Sequence, residues 1–143
     1  MPRVKISIPS VFSFQCSIPV RITDVNYGGH VGNDTVLSII HEARVQYLRS
    51  LGYTEMDLAG TGMIMSDVMI EFKGELFYGD IIDCSVTTAE TGKVNFDLLY
   101  QLETTRNDKK ILIAVAKTGM ICYDYEKKKI VSIPPEALAN LKI

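Results

Sequence analysis

One segment of this sequence has the periodicity of a long helix, whereas most of the remaining chain alternates with the period of a strand. Apolar residues recur every three or four positions up to Leu51, starting from Asn33 or Asp34, and either of these two can cap a helix. Gly52 follows as a natural stop. Ile39 lies off the main apolar stripe, so we expect the helix to be buried on more than one side. A helix of this kind needs a second layer to cover it.

The alternating segments supply that layer. Residues 12–22 alternate as a half-buried strand, in which Pro19 indicates an edge or a bulge. Four later runs alternate or are continuously apolar, at residues 68–72, 82–88, 94–102 and 111–125. Short turns between them predict antiparallel neighbours, and Pro134-Pro135 opens a short helix that ends near Leu141. The sequence therefore predicts a single α+β domain over residues 1–143, with one helix packed on one antiparallel sheet.

Charge and hydropathy exclude several classes of protein. The net charge is -2 and the sequence pI is about 5.7, which argues against a nucleic-acid partner that needs a basic face. No apolar run reaches the roughly 18 residues of a membrane span, and we expect no signal peptide and no membrane partner. We therefore expect a cytoplasmic protein.

The cysteines and histidines are few and scattered. Cys16, Cys84 and Cys122 lack paired spacing and are expected to be buried, reduced thiols rather than a disulfide framework. His30 and His41 are the only histidines, so no metal site is predicted. The sequence also lacks a G-x-S-x-G nucleophile motif and a phosphate-binding glycine loop.

Chemistry is predicted where the first strand meets a glycine-rich loop. Asp24 ends the strand, and the loop leads to a helix N-terminus, whose partial positive charge suits an anion or a developing oxyanion. A lone aspartate before a turn is more often a turn or capping residue. His30 can orient a substrate or be structural, Asn33 can cap the helix, and Glu42 can face a cleft or solvent. Predicted substrate-binding residues in the loop and on the helix are Tyr27, Gly29, Asn33 and Glu42.

Three motifs carry a family resemblance. The string R-I-T-D-V-N-Y-G-G-H-V-G-N-D at residues 21–34, H-E-A-R at 41–44 and F-Y-G-D at 77–80 resemble the hotdog-fold acyl-CoA thioesterases of the 4-hydroxybenzoyl-CoA thioesterase type. The resemblance implies a hotdog fold, a long central helix wrapped by a five-stranded antiparallel sheet. It also implies an acyl-CoA substrate, no cofactor, and a homodimer or homotetramer with active sites between subunits.

The resemblance also implies roles for single residues. Asp24 would match the catalytic carboxylate, as general base on water or as nucleophile that gives a mixed anhydride, and both remain open. Backbone amides near His30 and Val31 would polarise the thioester carbonyl. Residues near Met65 of a partner subunit would line the acyl pocket.

Two alternatives remain open at this point. Asp24, Asn26 and His30 imitate the D-x-N-P-x-H motif of hotdog enoyl-CoA hydratases, although the proline is absent and the histidine comes one place late. The same fold can also serve as a non-catalytic acyl-CoA-binding protein. The acyl preference is not encoded in any motif of the sequence.

Overall fold

Six strands and two α-helices make up residues 3–141, the part of the chain that the computed structural model describes. In chain order these elements are β1 (Phe14–Pro19), a 3₁₀ turn (Ile22–Asp24), α1 (Asn33–Ser50), β2 (Gly62–Phe72), β3 (Ile81–Thr91), β4 (Asn95–Arg106), β5 (Lys109–Asp124), β6 (Lys129–Ile130) and α2 (Pro135–Leu141). The predicted α+β class, the long helix and the short C-terminal helix are confirmed.

The strands form one antiparallel sheet with the order β1-β3-β4-β5-β2, and β6 pairs with β5. The five predicted strands correspond to β1 to β5, and the two-residue strand β6 was not predicted. One expectation was wrong, because β2 is not the neighbour of β3. Residues 73–80 carry the chain from one edge of the sheet to the interior position beside β1, so β2 pairs with β5 instead.

Helix α1 packs on the sheet through more than one face. Its buried residues are Val36, Ile39, Ile40, Ala43, Arg44, Tyr47 and Leu48. The Tyr47 ring lies 5.8 Å from the ring of Phe14 on β1, and its hydroxyl lies 2.8 Å from that of Thr88 on β3. Gly52 has a φ of +86°, which glycine adopts readily, and the predicted helix stop is confirmed.

Helix α1 begins at Asn33 as predicted, but its N-cap is a different residue. Gly32 is the N-cap, with extended backbone and no side-chain cap, while Asn33 and Asp34 are already helical. Gly32 is accepted at N-caps because its backbone adopts the required conformation and its carbonyl receives the first helical hydrogen bonds, from Thr35 and Val36.

Strand β1 is shorter than the alternation predicts. It ends at Pro19, which lies on an edge strand as expected, and the chain then turns into the 3₁₀ segment. Ile22 was predicted on the buried face and is 67% exposed. The reason is the turn itself, which is closed when the Asp24 carboxylate accepts the backbone N–H of Arg21 at 2.8 Å.

Arg44, the last residue of the H-E-A-R motif, is a buried charge on α1. Its Nε donates to Glu55 at 3.0 Å, and an N–H of its guanidinium donates to the Tyr100 hydroxyl at 3.4 Å. The Tyr100 hydroxyl in turn lies 2.7 Å from that of Thr118. A polar network thus crosses from α1 into the sheet, with each buried group partnered, as burial of charge requires.

Strands β4 and β5 form a tight hairpin. The two residues between them in the turn, Asn107 and Asp108, have φ values of 51° and 62°. Two successive positive φ angles are typical of a type I′ turn, whose twist matches that of the flanking strands. Within residues 3–141, neither helix has the length and apolar character needed to cross a bilayer.

Candidate active site

Residues 25–31 close into a small loop between the 3₁₀ turn and α1. Val25 pairs with Val31 in an isolated antiparallel bridge, and the Asn26 N–H donates to the His30 carbonyl at 3.0 Å. Gly29 supports the turn with a φ of +80°. The bridge brings the backbone that follows Asp24 close to Val31, just before α1. The Asp24 carboxylate itself is turned toward Arg21.

The loop is fixed to the segment that precedes β3. The Val31 N–H donates to the Leu76 carbonyl at 2.9 Å, and His30 pairs with Phe77 in a second bridge. The Val31 amide was predicted to polarise a substrate carbonyl, and that role stays a prediction. In the structure this amide is bonded within the protein, to Leu76.

Asp24 is 7% exposed and ionically partnered. One oxygen accepts the Arg21 backbone N–H at 2.8 Å and the other accepts the Arg21 guanidinium at 3.3 Å. The side chain also lines a cavity of about 300 Å³ between β1 and α1, together with Ser38 and Glu42. Asp24 is therefore both the cap of the 3₁₀ turn and a carboxylate on a cavity wall.

The N-terminus of α1 is free of a side-chain cap. The amides of Asn33 and Asp34 precede the first residues that can bond within the helix, so they point outward with partial positive charge. A Cβ placed on Gly32 would lie 2.7 Å from Asp34 Oδ1 and 3.5 Å from Asn26 Nδ2. Asn26 and Asp34 thus lie closest to this end, and neither was predicted as a site residue.

Position in the sequence gave a partial signal for these two residues. Asn26 lies two places after Asp24 in the glycine loop, and Asp34 stands in the first helical turn. Sequence reasoning assigned Asp34 to capping and treated Asn26 only as part of an imitated motif. Asn26 and Asp34 come close to each other only because the loop of residues 25–31 folds back toward Gly32.

His30 and Asn33 line a different cavity. With Val31 they form one wall of a space of about 300 Å³, and Phe72 and Lys73 lie among the residues opposite. The His30 ring holds Nδ1 3.3 Å from the Val31 carbonyl. The chain therefore divides the predicted residues, with Asp24 and Glu42 on one side of the loop and His30 on the other.

The remaining predicted residues are spread more widely. Tyr27 is fully exposed at the tip of the loop, with Gly29 beside it. Glu42 is exposed, accepts a hydrogen bond from Gln46 at 2.8 Å and lines the cavity of Asp24. Met65 is 39% exposed on β2 and lines neither cavity.

Metal ligation is not a feature of the part of the chain described, since residues 3–141 hold no group of three histidine, cysteine or acidic side chains that could bind an ion. The polar groups described around the loop are the carboxylates of Asp24 and Glu42 and the N–H groups at the start of α1.

Known proteins resemble this chain in sequence and in fold. A protein of Aquifex aeolicus (strain VF5) that carries the name Putative esterase is 30% identical over 125 residues, which is 86% of this chain and 93% of that protein. A 1,4-dihydroxy-2-naphthoyl-CoA thioesterase from Synechocystis superposes with a TM-score of 0.79 at 19% identity, covering 90% of this chain and 94% of the other. A mutant 4-hydroxybenzoyl-CoA thioesterase in complex with 4-hydroxybenzoyl-CoA superposes with a TM-score of 0.81 at 14% identity, covering 90% of this chain and 98% of the other.

These superpositions identify the fold as the hotdog fold expected from the sequence. The sequence profile of the thioesterase-like superfamily matches residues 20–141, which include the loop, both helices and the whole sheet apart from β1. On the strength of that match and of the Aquifex relative, the chain belongs to the thioesterase-like superfamily.

Proposed function

We propose that this protein, acting as one hotdog domain, hydrolyses an acyl-CoA thioester to the free acid and CoA, with Asp24 as the reacting carboxylate. Family membership supports thioester hydrolysis as the class of reaction. The observation that supports Asp24 in this role is its buried carboxylate on the wall of the cavity between β1 and α1, at the start of the loop that leads to the uncapped N-terminus of the helix. A carboxylate and a helix end are groups suited to attack on a thioester.

The thioester carbonyl is proposed to bind at the first turn of α1. There the outward amides of Asn33 and Asp34 replace Val31 as donors to the oxyanion, since the Val31 amide is bonded to Leu76. An oxyanion donor is worth about a hundred- to a thousand-fold in rate. Asp24 then activates water or attacks the carbonyl directly, which contributes about a hundred- to ten-thousand-fold for a general base.

Asp24 precedes the loop that leads to this helix end and Asp34 lies in its first turn, so the test compares the two carboxylates. Free CoA is measured by a thiol reagent over a panel of short, long and aromatic acyl-CoAs. Asp24→Asn keeps an oxygen that can accept the Arg21 N–H and is expected to lose at least a hundred-fold in turnover without unfolding. Asp34→Asn is the matched variant, and an exclusive loss in that variant would move the role from Asp24 to Asp34.

A control variant separates loss of the reacting carboxylate from disruption of the 3₁₀ turn. Arg21→Ala removes the guanidinium contact at 3.3 Å but leaves the Asp24 carboxylate in place. We expect this variant to keep most of its turnover, because the Arg21 side chain is 74% exposed and its ion pair is screened. Loss of an enoyl chromophore without release of CoA thiol would instead establish the hydratase. Tight acyl-CoA binding with no turnover of any substrate would establish a binding protein.

The same proposal places the site between two subunits. Strand β2 is an edge of the sheet, and it exposes Met65 by 39% and Met69 by 37%. An edge strand presents unpaired backbone groups that a second copy can pair with. Met65 would then contact the acyl group bound beside the partner's α1.

Mixing subunits tests this arrangement. Asp24→Asn and Met65→Arg are each prepared as inactive proteins, then mixed and exchanged. If sites are shared between subunits, the mixed dimer contains one site with neither substitution, and CoA release recovers. Absence of recovery, in a mixture whose exchange is demonstrated by mass, would show that each site belongs to one chain.

A further inference from the structure

Cys16 and Cys84 face each other across the β1–β3 ladder, although they lie far apart in the sequence. The register pairs them directly, and both belong to the face of the sheet that packs on the core. The sequence alone suggested three unrelated buried thiols. Cys16 is in fact partly exposed, whereas Cys84 is 1% exposed.

The ladder also fixes how far apart these residues are. Directly opposite residues alternate between hydrogen-bonded and non-hydrogen-bonded pairs. Just beyond β1, the Val20 N–H donates to the Asp80 carbonyl at 2.9 Å. Hydrogen-bonded pairs recur at every second residue, so Ile18 and Cys16 also occupy hydrogen-bonded positions opposite β3, whereas Pro19 has no N–H to donate. Cys16 is one of these positions, where opposing Cα atoms lie roughly 5.5 Å apart. A disulfide spans Cα distances of about 4.4 to 6.8 Å.

We propose that Cys16 and Cys84 form a redox-active pair that closes reversibly into a cross-strand disulfide between β1 and β3. Cys16 lies on an edge strand and is partly exposed, so a small oxidant has access to it, and the buried Cys84 lies directly opposite. The proposal does not depend on the thioesterase activity, because it concerns the thiols themselves.

The two thiols differ in pKa, and the thiol with the lower pKa is the more exposed one. A hydrogen bond from the Cys84 thiol lowers the pKa of Cys16, although burial and the nearby Glu42 act in the opposite direction. The same hydrogen bond, together with burial, raises the pKa of Cys84. Cys16 is thus the more readily ionised and the more exposed, and thiolates are the attacking species in exchange.

The reaction with a small disulfide such as oxidised glutathione has two steps. The Cys16 thiolate attacks one glutathione sulfur, forms a mixed disulfide and releases one glutathione thiolate. The Cys84 thiol then loses its proton and attacks Cys16 Sγ, releasing the second glutathione. Two protein thiols are oxidised and one small disulfide is reduced to two thiols, so atoms and electrons balance.

The pair also has a defined position relative to the candidate active site. Glu42, whose charge acts on Cys16, lines the cavity that contains Asp24. Strand β1 carries Cys16 and also lines that cavity through Ile18. A bond to β3 would fix the edge strand that forms one wall beside Asp24.

The test counts thiols in the whole protein after equilibration in mixtures of reduced and oxidised glutathione. The samples are alkylated under denaturing conditions and their intact masses measured. We expect the wild type to pass from three alkylated cysteines to one, without retained glutathione, and to be restored by dithiothreitol. Cys122→Ala is the matched control and is expected to pass from two alkylated cysteines to none, since Cys122 lies on β5 and not on β1 or β3.

Single substitutions distinguish the two partners. Cys84→Ser should retain one glutathione on Cys16, because the second step has no thiol, whereas Cys16→Ser should retain both of its thiols. The thermal midpoint should rise on oxidation of the wild type and of Cys122→Ala only. Three thiols retained by the wild type, or glutathione held without loss of the second thiol, would overturn the proposal.

Discussion

The guanidinium of Arg44 and the carboxylate of Glu55 are joined at 3.0 Å, which ties the middle of α1 to the segment that leads into β2. The Arg44 side chain is 6% exposed and that of Glu55 is 25% exposed. His41 contacts the other Glu55 oxygen at 2.6 Å. Glu55 is therefore the counter-ion that allows a charged side chain to lie under the helix.

Removing that counter-ion is expected to destabilise the fold. Glu55→Ala leaves the Arg44 charge with only the Tyr100 hydroxyl, and we expect a loss of about 2 to 3 kcal/mol, below the range for fully buried pairs because Glu55 is partly exposed. Urea denaturation measures it. The double variant Arg44→Met/Glu55→Ala should recover part of the loss. A single-variant loss under 0.5 kcal/mol, which is about the value of an exposed pair, would contradict this role.

The same carboxylate makes stability depend on pH. Burial favours the neutral acid, but hydrogen bonds from His41 and Arg44 outweigh it and lower the pKa of Glu55 below its ordinary 4.5. A lowered native pKa stabilises the fold above the unfolded value and is lost as pH falls through the native value. We therefore expect the free energy of unfolding to fall below pH 4.5, by less in Glu55→Gln than in wild type. If the free energy of unfolding falls equally with pH in both proteins, Glu55 is not a source of the pH dependence.

Arg106 is expected to hold the loop at residues 25–31 in place through Asp80 and Phe77. Its guanidinium contacts both oxygens of Asp80, at 2.6 and 3.3 Å, and lies 4.9 Å from the Phe77 ring. Asp80 in turn accepts the Phe77 N–H at 2.8 Å, and Phe77 pairs with His30. Arg106→Lys keeps the charge but not the planar fork, and should cost about 1 kcal/mol.

Hydrogen exchange at the Val31 amide gives the local measurement for Arg106. That amide is bonded to the Leu76 carbonyl, so it should exchange faster in Arg106→Lys. Arg49→Lys, on the exposed last turn of α1, is the matched control and should leave the rate unchanged. Unaltered exchange at Val31 in both variants would show that Arg106 does not order the loop.

Two glycines of the same segment should respond differently to alanine. Gly29 has a φ of +80° and open space around a Cβ, so Gly29→Ala should cost about 1 kcal/mol through backbone conformation alone. Gly32 has a φ of -73°, which alanine adopts freely, but its Cβ would lie 2.7 Å from Asp34 Oδ1. Gly32→Ala should therefore displace the Asp34 side chain at little cost in stability. Urea denaturation of the pair checks this, and equal losses would contradict it.

Local features of the fold were predictable from the sequence. The helix and its stop at Gly52 follow from spacing within one segment, and so does the alternation of β3 and β4. The N-cap at Gly32 was not predictable, because several adjacent residues can cap and the loop before the helix decides between them. The pairing of β2 with β5 depends on where a connection crosses the sheet, and no short pattern reports it.

The candidate site was predictable in outline only. Asp24 closes the 3₁₀ turn and a short loop separates it from α1, as the sequence indicates. The occupation of the Val31 amide by Leu76, the burial of Arg44 by Glu55 and the pairing of Cys16 with Cys84 each depend on a partner remote in the chain. Distant partners of this kind leave no periodicity to detect.

The tight turn at Asn107-Asp108 has a consequence for the order in which the chain folds. It joins the longest run of consecutive pairing in the sheet, between β4 and β5, at the smallest cost in chain closure. Both edge strands must close far longer segments before they gain any contact. We therefore expect refolding to start at this hairpin, so that substitutions there slow refolding while those in β1 mainly hasten unfolding.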